Sequence, residues 1–171
     1  MIFFQDLNKI NQQDKQKFIE WKGNIELCDL IMSTPVNLSM VQLDYWIKNN
    51  SNDTNQYFKA VHRVSDNKLI GLARLMFVDK VSRIAEVGLY IGDIEDRNGK
   101  YGTEILNKLI EVAKGQYLLN KVFAKIHNRN IGSIKLFERA GFVVEGNLRD
   151  HYFSNIENEF FSVFILSKFL S

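Results

Sequence analysis

One cysteine and one proline in a chain of 171 residues close off several classes of protein at once. Cys28 has no partner within the chain, so no intramolecular disulfide framework is available. His62, His127 and His151 stand far apart, and no Cys/His cluster has metal-ligand spacing, so no metal is expected. No stretch approaches the roughly 20 apolar residues that a membrane span needs. The N-terminus, Met1 to Leu7, carries Asp6 and lacks the charged start and apolar run of a signal peptide. An excess of charge of either sign is lacking as well. The net charge is +2, no like charges run together, and no basic stripe interleaves with aromatics, which argues against a nucleic-acid groove. With Pro35 alone and ten glycines, there is no obvious linker, repeat or low-complexity segment. These absences imply a cytoplasmic protein, one domain over residues 1–171, with neither nucleic acid nor membrane as partner.

What is present reads as an ordinary globular core, 46% hydrophobic and 25% charged. Helical patterns are expected over Gln12 to Lys22 and Ile25 to Met32, the second ended by Pro35. Ser39 with Gln42 reads as a capping box opening a further helix, before a polar loop from Asn49 to Asn55. Three strand-like segments follow, Tyr57 to Val64, Leu69 to Val78 and Ile84 to Ile91, joined by short turns as an antiparallel meander. The period then changes. Ile105, Leu106, Leu109, Ile110, Val112 and Ala113 recur at helical spacing up to Gly115. A strand at Lys121 to Ile126, a helix at Ile131 to Ala140 closed by Gly141, and two strands at Phe142 to Tyr152 and Glu159 to Phe164 complete the chain. The expected class is α+β: a mixed, mostly antiparallel sheet of about six to seven strands flanked by about four helices.

The segment Ala85-Glu86-Val87-Gly88-Leu89-Tyr90-Ile91-Gly92-Asp93 leads through Arg97-Asn98-Gly99-Lys100-Tyr101-Gly102-Thr103 into the long helix. A strand that runs through a glycine-containing turn into a helix aims several backbone N–H groups, and the positive end of the helix dipole, at one spot. A pyrophosphate suits that spot. The turn serves equally as a plain structural turn. It is neither a P-loop nor the dinucleotide fingerprint, since the required Gly-Lys-Ser/Thr and Gly-x-Gly-x-x-Gly are absent.

The stretch resembles motif A of the GNAT acetyltransferases, Gln/Arg-x-x-Gly-x-Gly/Ala. Arg97 and Gly102 stand in the outer positions, with Lys100 where a glycine is usual. Downstream, Asn130-Ile131-Gly132-Ser133-Ile134-Lys135-Leu136-Phe137-Glu138-Arg139-Ala140-Gly141-Phe142 resembles motif B, with Phe137 in place of its tyrosine. The resemblance implies an N-acetyltransferase that moves the acetyl group of acetyl-CoA to a primary amine by direct attack in a ternary complex. It implies that Arg97, Asn98, Gly99, Lys100, Tyr101, Gly102 and Thr103 cradle the pyrophosphate. Backbone groups of Leu89, Tyr90 and Ile91 would hold the pantetheine arm, with Asn130, Ser133 and Phe137 beside it. Asn130 and Ser133 would serve equally as helix caps. Glu86, eleven positions before Arg97, is the expected general base, and a structural glutamate is its alternative. Because Phe137 has no hydroxyl, the general acid passes to Tyr90, Tyr101 or Tyr152, with Tyr90 the choice, or to solvent.

For the acceptor, Glu20-Trp21-Lys22-Gly23-Asn24-Ile25-Glu26 resembles a segment of acetyltransferases acting on aminosugar nucleotides. Trp21 and Glu26 are therefore expected to bind substrate, together with Tyr152 on the late strands. Polyamine and ribosomal-protein N-terminal acetyltransferases are the alternatives, with a non-catalytic acetyl-CoA-binding module beyond them. A polyamine would draw on Glu26, Asp29, Asp44 and Glu86. The aromatic run Phe160 to Phe164 would permit a homodimer through the late strands.

Overall fold

The computed structural model describes residues 1–97 and 100–170. Its elements run β1 (Ile2–Asp6), α1 (Gln12–Gly23), α2 (Ile25–Leu30), α3 (Met40–Asn52), β2 (Gln56–Arg63), β3 (Leu69–Asp79), β4 (Ile84–Ile91), α4 (Tyr101–Gly115), β5 (Lys121–His127), α5 (Ile131–Arg139), β6 (Val143–Ser154) and β7 (Glu159–Phe169). Among the described residues the strands form a seven-stranded sheet in the order β1-β2-β3-β4-β5-β7-β6. Every pairing is antiparallel except β4 with β5.

Each early helix begins on a side chain that accepts an orphan N–H of its first turn. Asn11 and Asp14 form a reciprocal capping box for α1, Asn24 accepts from Leu27 N–H at 2.8 Å for α2, and Ser39 and Gln42 form the expected box for α3. Asp14 also meets His62 Nε2 at 3.1 Å in the interior, which ties α1 to β2. Gly141 ends α5 at φ +85, a left-handed position that glycine adopts without a Cβ penalty.

The sheet separates two apolar layers. On one side α4 buries Ile105, Leu106 and Leu109 against Ala73, Leu75, Val87, Val122 and Leu166. On the other, α1, α2 and α3 bury Phe18, Trp21, Leu27, Leu43 and Ile47 against Ala60 and Leu72. Alternation along β3 and β4 does the sorting: Ala73, Leu75, Ala85 and Val87 turn to α4, while Leu72 and Tyr90 turn to the N-terminal helices.

Two expectations are corrected. Ile2–Asp6 is a strand, paired with β2 from Ile2↔Arg63 to Asp6↔Lys59, and it supplies the seventh strand. The polar run expected as a loop from Asn49 is helical through Asn52, because solvated polar side chains at the end of α3 do not interrupt its backbone bonding. The five α-helices among the described residues agree with the expected class.

Candidate functional site

The parallel pairing of β4 with β5 covers only Ile84↔Lys121, Ala85↔Val122 and Glu86↔Phe123. Beyond it β4 continues to Ile91 on β3, and β5 continues to His127 on β7, so the two strands part. Gly92 N–H donates to Ile70 O at 3.0 Å. Alternation along an antiparallel strand then directs the N–H of Leu89 to the opposite edge, which faces the gap. An open edge in mid-sheet is a ready acceptor for a ligand's amides, because buried backbone polar groups require partners.

A cavity of about 570 Å³ lies at this gap. Its floor is Arg74 of β3 with Glu86, Gly88 and Tyr90 of β4, and its walls include Lys22, Ile31, Trp46, Phe58, Lys125, Asn130, Ser133, Phe137, His151 and Tyr152. A Cβ at Gly88 would meet nothing within 4 Å, so the floor is open there. Glu86 reaches Lys125 Nζ at 3.3 Å. Tyr90 packs edge-on to Trp21 at 6.0 Å between centroids, and burial raises its phenol well above the ordinary range. The Tyr152 hydroxyl donates to Asp29 Oδ1 at 3.0 Å while Ser154 donates to Oδ2 at 3.0 Å. Burial, then that hydrogen bond, pushes the Tyr152 phenol up to about 12. Both tyrosines therefore stay protonated at neutral pH.

Of the expected residues, Glu86, Leu89, Tyr90, Asn130, Ser133, Phe137 and Tyr152 line this cavity together. Asn130 both caps α5, accepting from Ser133 N–H at 3.1 Å, and donates to Leu30 O at 3.0 Å, so cap and cavity wall are one residue. Ile91 instead packs into the α4 layer, and its carbonyl accepts from Arg97 Nε at 3.1 Å. Arg97 also donates to Gly92 O at 2.7 Å, so its guanidinium fastens the end of β4 rather than standing free. Asn98 and Gly99 lie outside the described residues. Lys100 is exposed at the start of α4 without a side-chain cap, and Tyr101, Gly102 and Thr103 form the first helical turn, where N–H groups lack helical partners. A Cβ at Gly102 would come within 3.3 Å of Leu136, so this glycine also permits α4 to approach α5.

Two expected substrate residues are corrected. Trp21 is only 4% exposed; its ring lies against Gly92 and its Nε1 donates to Asp93 Oδ1 at 2.8 Å, so it is core. Glu26 is exposed in the first turn of α2 and is not among the cavity residues. Of the four carboxylates considered for a polycation, Glu86 alone lines the cavity. Asp29 is held by Tyr152 and Ser154, and Asp44 pairs with Lys15 at 2.8 Å. Sequence reasoning missed Arg74 altogether. The available signal was a lone cation inside the apolar strand Leu69 to Val78.

Asp93, Glu95 and Asp96 gather before α4, the one such acidic group among the described residues. Lys68 Nζ sits among them, at 3.2, 3.3 and 2.8 Å, and Arg63 reaches Asp96 at 2.8 Å. The three carboxylates anchor the turn to β2 and β3 through these cations. No helix among the described residues is long and apolar enough to cross a membrane.

A mixed sheet that opens between two parallel strands, with a helix N-terminus at the end of one of them, defines the fold of an acetyltransferase domain. The chain belongs to the GNAT acetyltransferase family, whose domain, described as Acetyltransferase (GNAT) domain, matches residues 6–143. It is 26% identical over 91 residues to spermidine N(1)-acetyltransferase of Vibrio cholerae and 32% identical over 97 residues to the probable N-acetyltransferase YjcK of Bacillus subtilis. These segments are 53% and 55% of this chain and 52% of either relative, so the chain spans about half the length of the curated relatives it matches. Its fold is similar to the crystal structure of spermidine N-acetyltransferase from Vibrio cholerae in complex with CoA and spermine. The TM-score is 0.86 at 19% identity, covering 99% of this chain and 95% of that one.

Proposed function

We propose that this chain, acting as one transferase domain, moves the acetyl group of acetyl-CoA to a primary amine of a small molecule bound in the cavity. The observation that carries the reading is the parting of β4 and β5 beyond Glu86, which sets an open backbone edge and a carboxylate on the same cavity. The Leu89 N–H at that edge would pair with the pantetheine amides, and the first-turn N–H groups of Tyr101, Gly102 and Thr103, which have no helical partners, would take the pyrophosphate. Asn130, Ser133 and Phe137 border the arm from α5.

Glu86 would accept, directly or through one water, the proton that the amine loses as its nitrogen bonds to the thioester carbonyl. The C–S bond then breaks and the thiolate leaves. Tyr90, protonated and on the same strand face, would donate a hydrogen bond to the departing sulfur, since burial strengthens its hold on the proton. Solvent then completes the transfer.

Two acceptor classes have specific support. The names of the Vibrio cholerae relatives favour a polyamine over the aminosugar nucleotide expected from Trp21 and Glu26, neither of which reaches the cavity. The cavity's own charges favour an amine that carries an anion. The exposed Val143, Val144 and Phe160 on β6 and β7 keep a homodimer within the proposal. Calorimetric titration with acetyl-CoA, followed by an amine panel on the same sample, tests the function: micromolar binding with coenzyme A release supports it, and no binding refutes it.

A further inference from the structure

The cavity holds one carboxylate against three cations, Lys22, Arg74 and Lys125. Glu86 and Lys125 answer each other at 3.3 Å. Arg74 is different. It is half-buried at the floor, between Phe58 of β2 and Gly88 of β4 in the sheet register, with its guanidinium carbon 5.7 Å from the centre of the Phe58 ring. Among the described residues no carboxylate lies within 4.0 Å of it, nor of Lys22, whose ammonium is 6.0 Å from the Trp46 ring on the adjoining wall.

A guanidinium that no carboxylate answers offers its planar N–H fork to the cavity, and carboxylate and phosphate fit that fork bidentately. The open floor in front of Gly88 leaves room for that group directly beside Arg74. Glu86 stands two residues along β4 from Gly88, a diagonal neighbour of Arg74 on the same face. A molecule presenting its amine to Glu86 would thus present whatever lies a few bonds away to Arg74.

The geometry points to an acceptor that carries an oxyanion, a carboxylate or a phosphate, a few bonds from its reactive amine, with Arg74 as the residue that selects it and Lys22 in support. A polycation brings its further ammonium groups toward two unpaired cations in a partly desolvated site, where repulsion is weakly screened. This inference rests on the acetyl-transfer reading and assigns its substrate class.

The test compares kcat/KM for matched amines: 5-aminopentanoate against pentylamine, glucosamine 6-phosphate against glucosamine, and spermidine alongside. Acetyl-CoA affinity is measured on the same samples. The expected result is a preference of roughly 10- to 100-fold for the oxyanion-bearing member of at least one pair, the size of a charge-assisted bidentate contact. The pair that shows it separates carboxylate from phosphate. Arg74→Gln removes that preference and Arg74→Lys keeps part of it, while acetyl-CoA affinity and melting temperature stay at the native values. A preference that survives Arg74→Gln overturns the inference. Acetyl-CoA binding with spermidine favoured, or with no amine turned over, overturns it while leaving the cofactor reading standing. Absence of acetyl-CoA binding overturns the acetyl-transfer reading, and this inference with it.

Discussion

The α4 side of the sheet and the side beneath α1 to α3 are built from alternate residues of the same two strands. On β3 and β4, Ala73, Leu75, Ala85 and Val87 meet Ile105, Leu106 and Leu109, all but Val87 at 0% exposure. One residue along, Arg74, Glu86, Gly88 and Tyr90 face a cavity. A period-2 strand can therefore pack one face into a core while most of its other face borders a cavity.

Substitutions can break that division or sharpen it. The largest effect is expected for Glu86→Gln, which should lower turnover by about 10²- to 10⁴-fold as general-base loss does. The denaturant midpoint should be almost unmoved; a turnover close to native would remove Glu86 from the chemistry. Leu109→Ala should do the reverse. Loss of a fully buried leucine costs about 2–5 kcal/mol of unfolding free energy, read from urea titration, with kcat of the folded fraction retained. Gly92→Ala tests the seam where the faces meet. Its Cβ would lie 1.9 Å from Trp21 Cε2, and the indole is fixed by Asp93, so about 1–3 kcal/mol of destabilisation is expected along with weakened acetyl-CoA binding.

The smallest effect lies furthest from the cavity. Asp6, at the end of β1, is held down from 3.8 to about 2 by hydrogen bonds from Lys59 and then Lys9. A depressed carboxyl stabilises the fold above its unfolded value, and that contribution disappears as pH falls from about 3.8 toward about 2. The side chain is 41% exposed, so solvent screening leaves at most roughly 1 kcal/mol. Asp6→Asn should flatten the acid limb of the melting-temperature profile in that window and leave turnover at neutral pH alone.

Local chemistry was legible in the chain, and cross-strand chemistry was not. Ser39 and Gln42 announce α3 because a cap and its partner are three residues apart. Glu86 and Asn130, which line the cavity, stand out in the sequence because the motifs that contain them are contiguous. Arg74 owes its setting to Phe58 and Gly88, 16 and 14 positions away, which only strand register brings together. Trp21 misled for the same reason: its contacts, Gly92 and Asp93, are remote in sequence, and an indole beside a short motif looks the same whether it meets substrate or backbone. The strand β1 escaped because Ile2-Phe3-Phe4-Gln5-Asp6 has neither clean alternation nor a turn signal, and exists by pairing with β2.

Beyond Glu86, β4 is central by position and an edge by hydrogen bonding. Amide protons report that distinction directly. The Leu89 amide should exchange with deuterated solvent far faster than that of Tyr90, its neighbour, which points into the ladder with β3. A ligand that lays its amides along the open edge would slow the first and leave the second unchanged. That pair of neighbouring protons is a built-in occupancy gauge, readable on a single sample without any acceptor present.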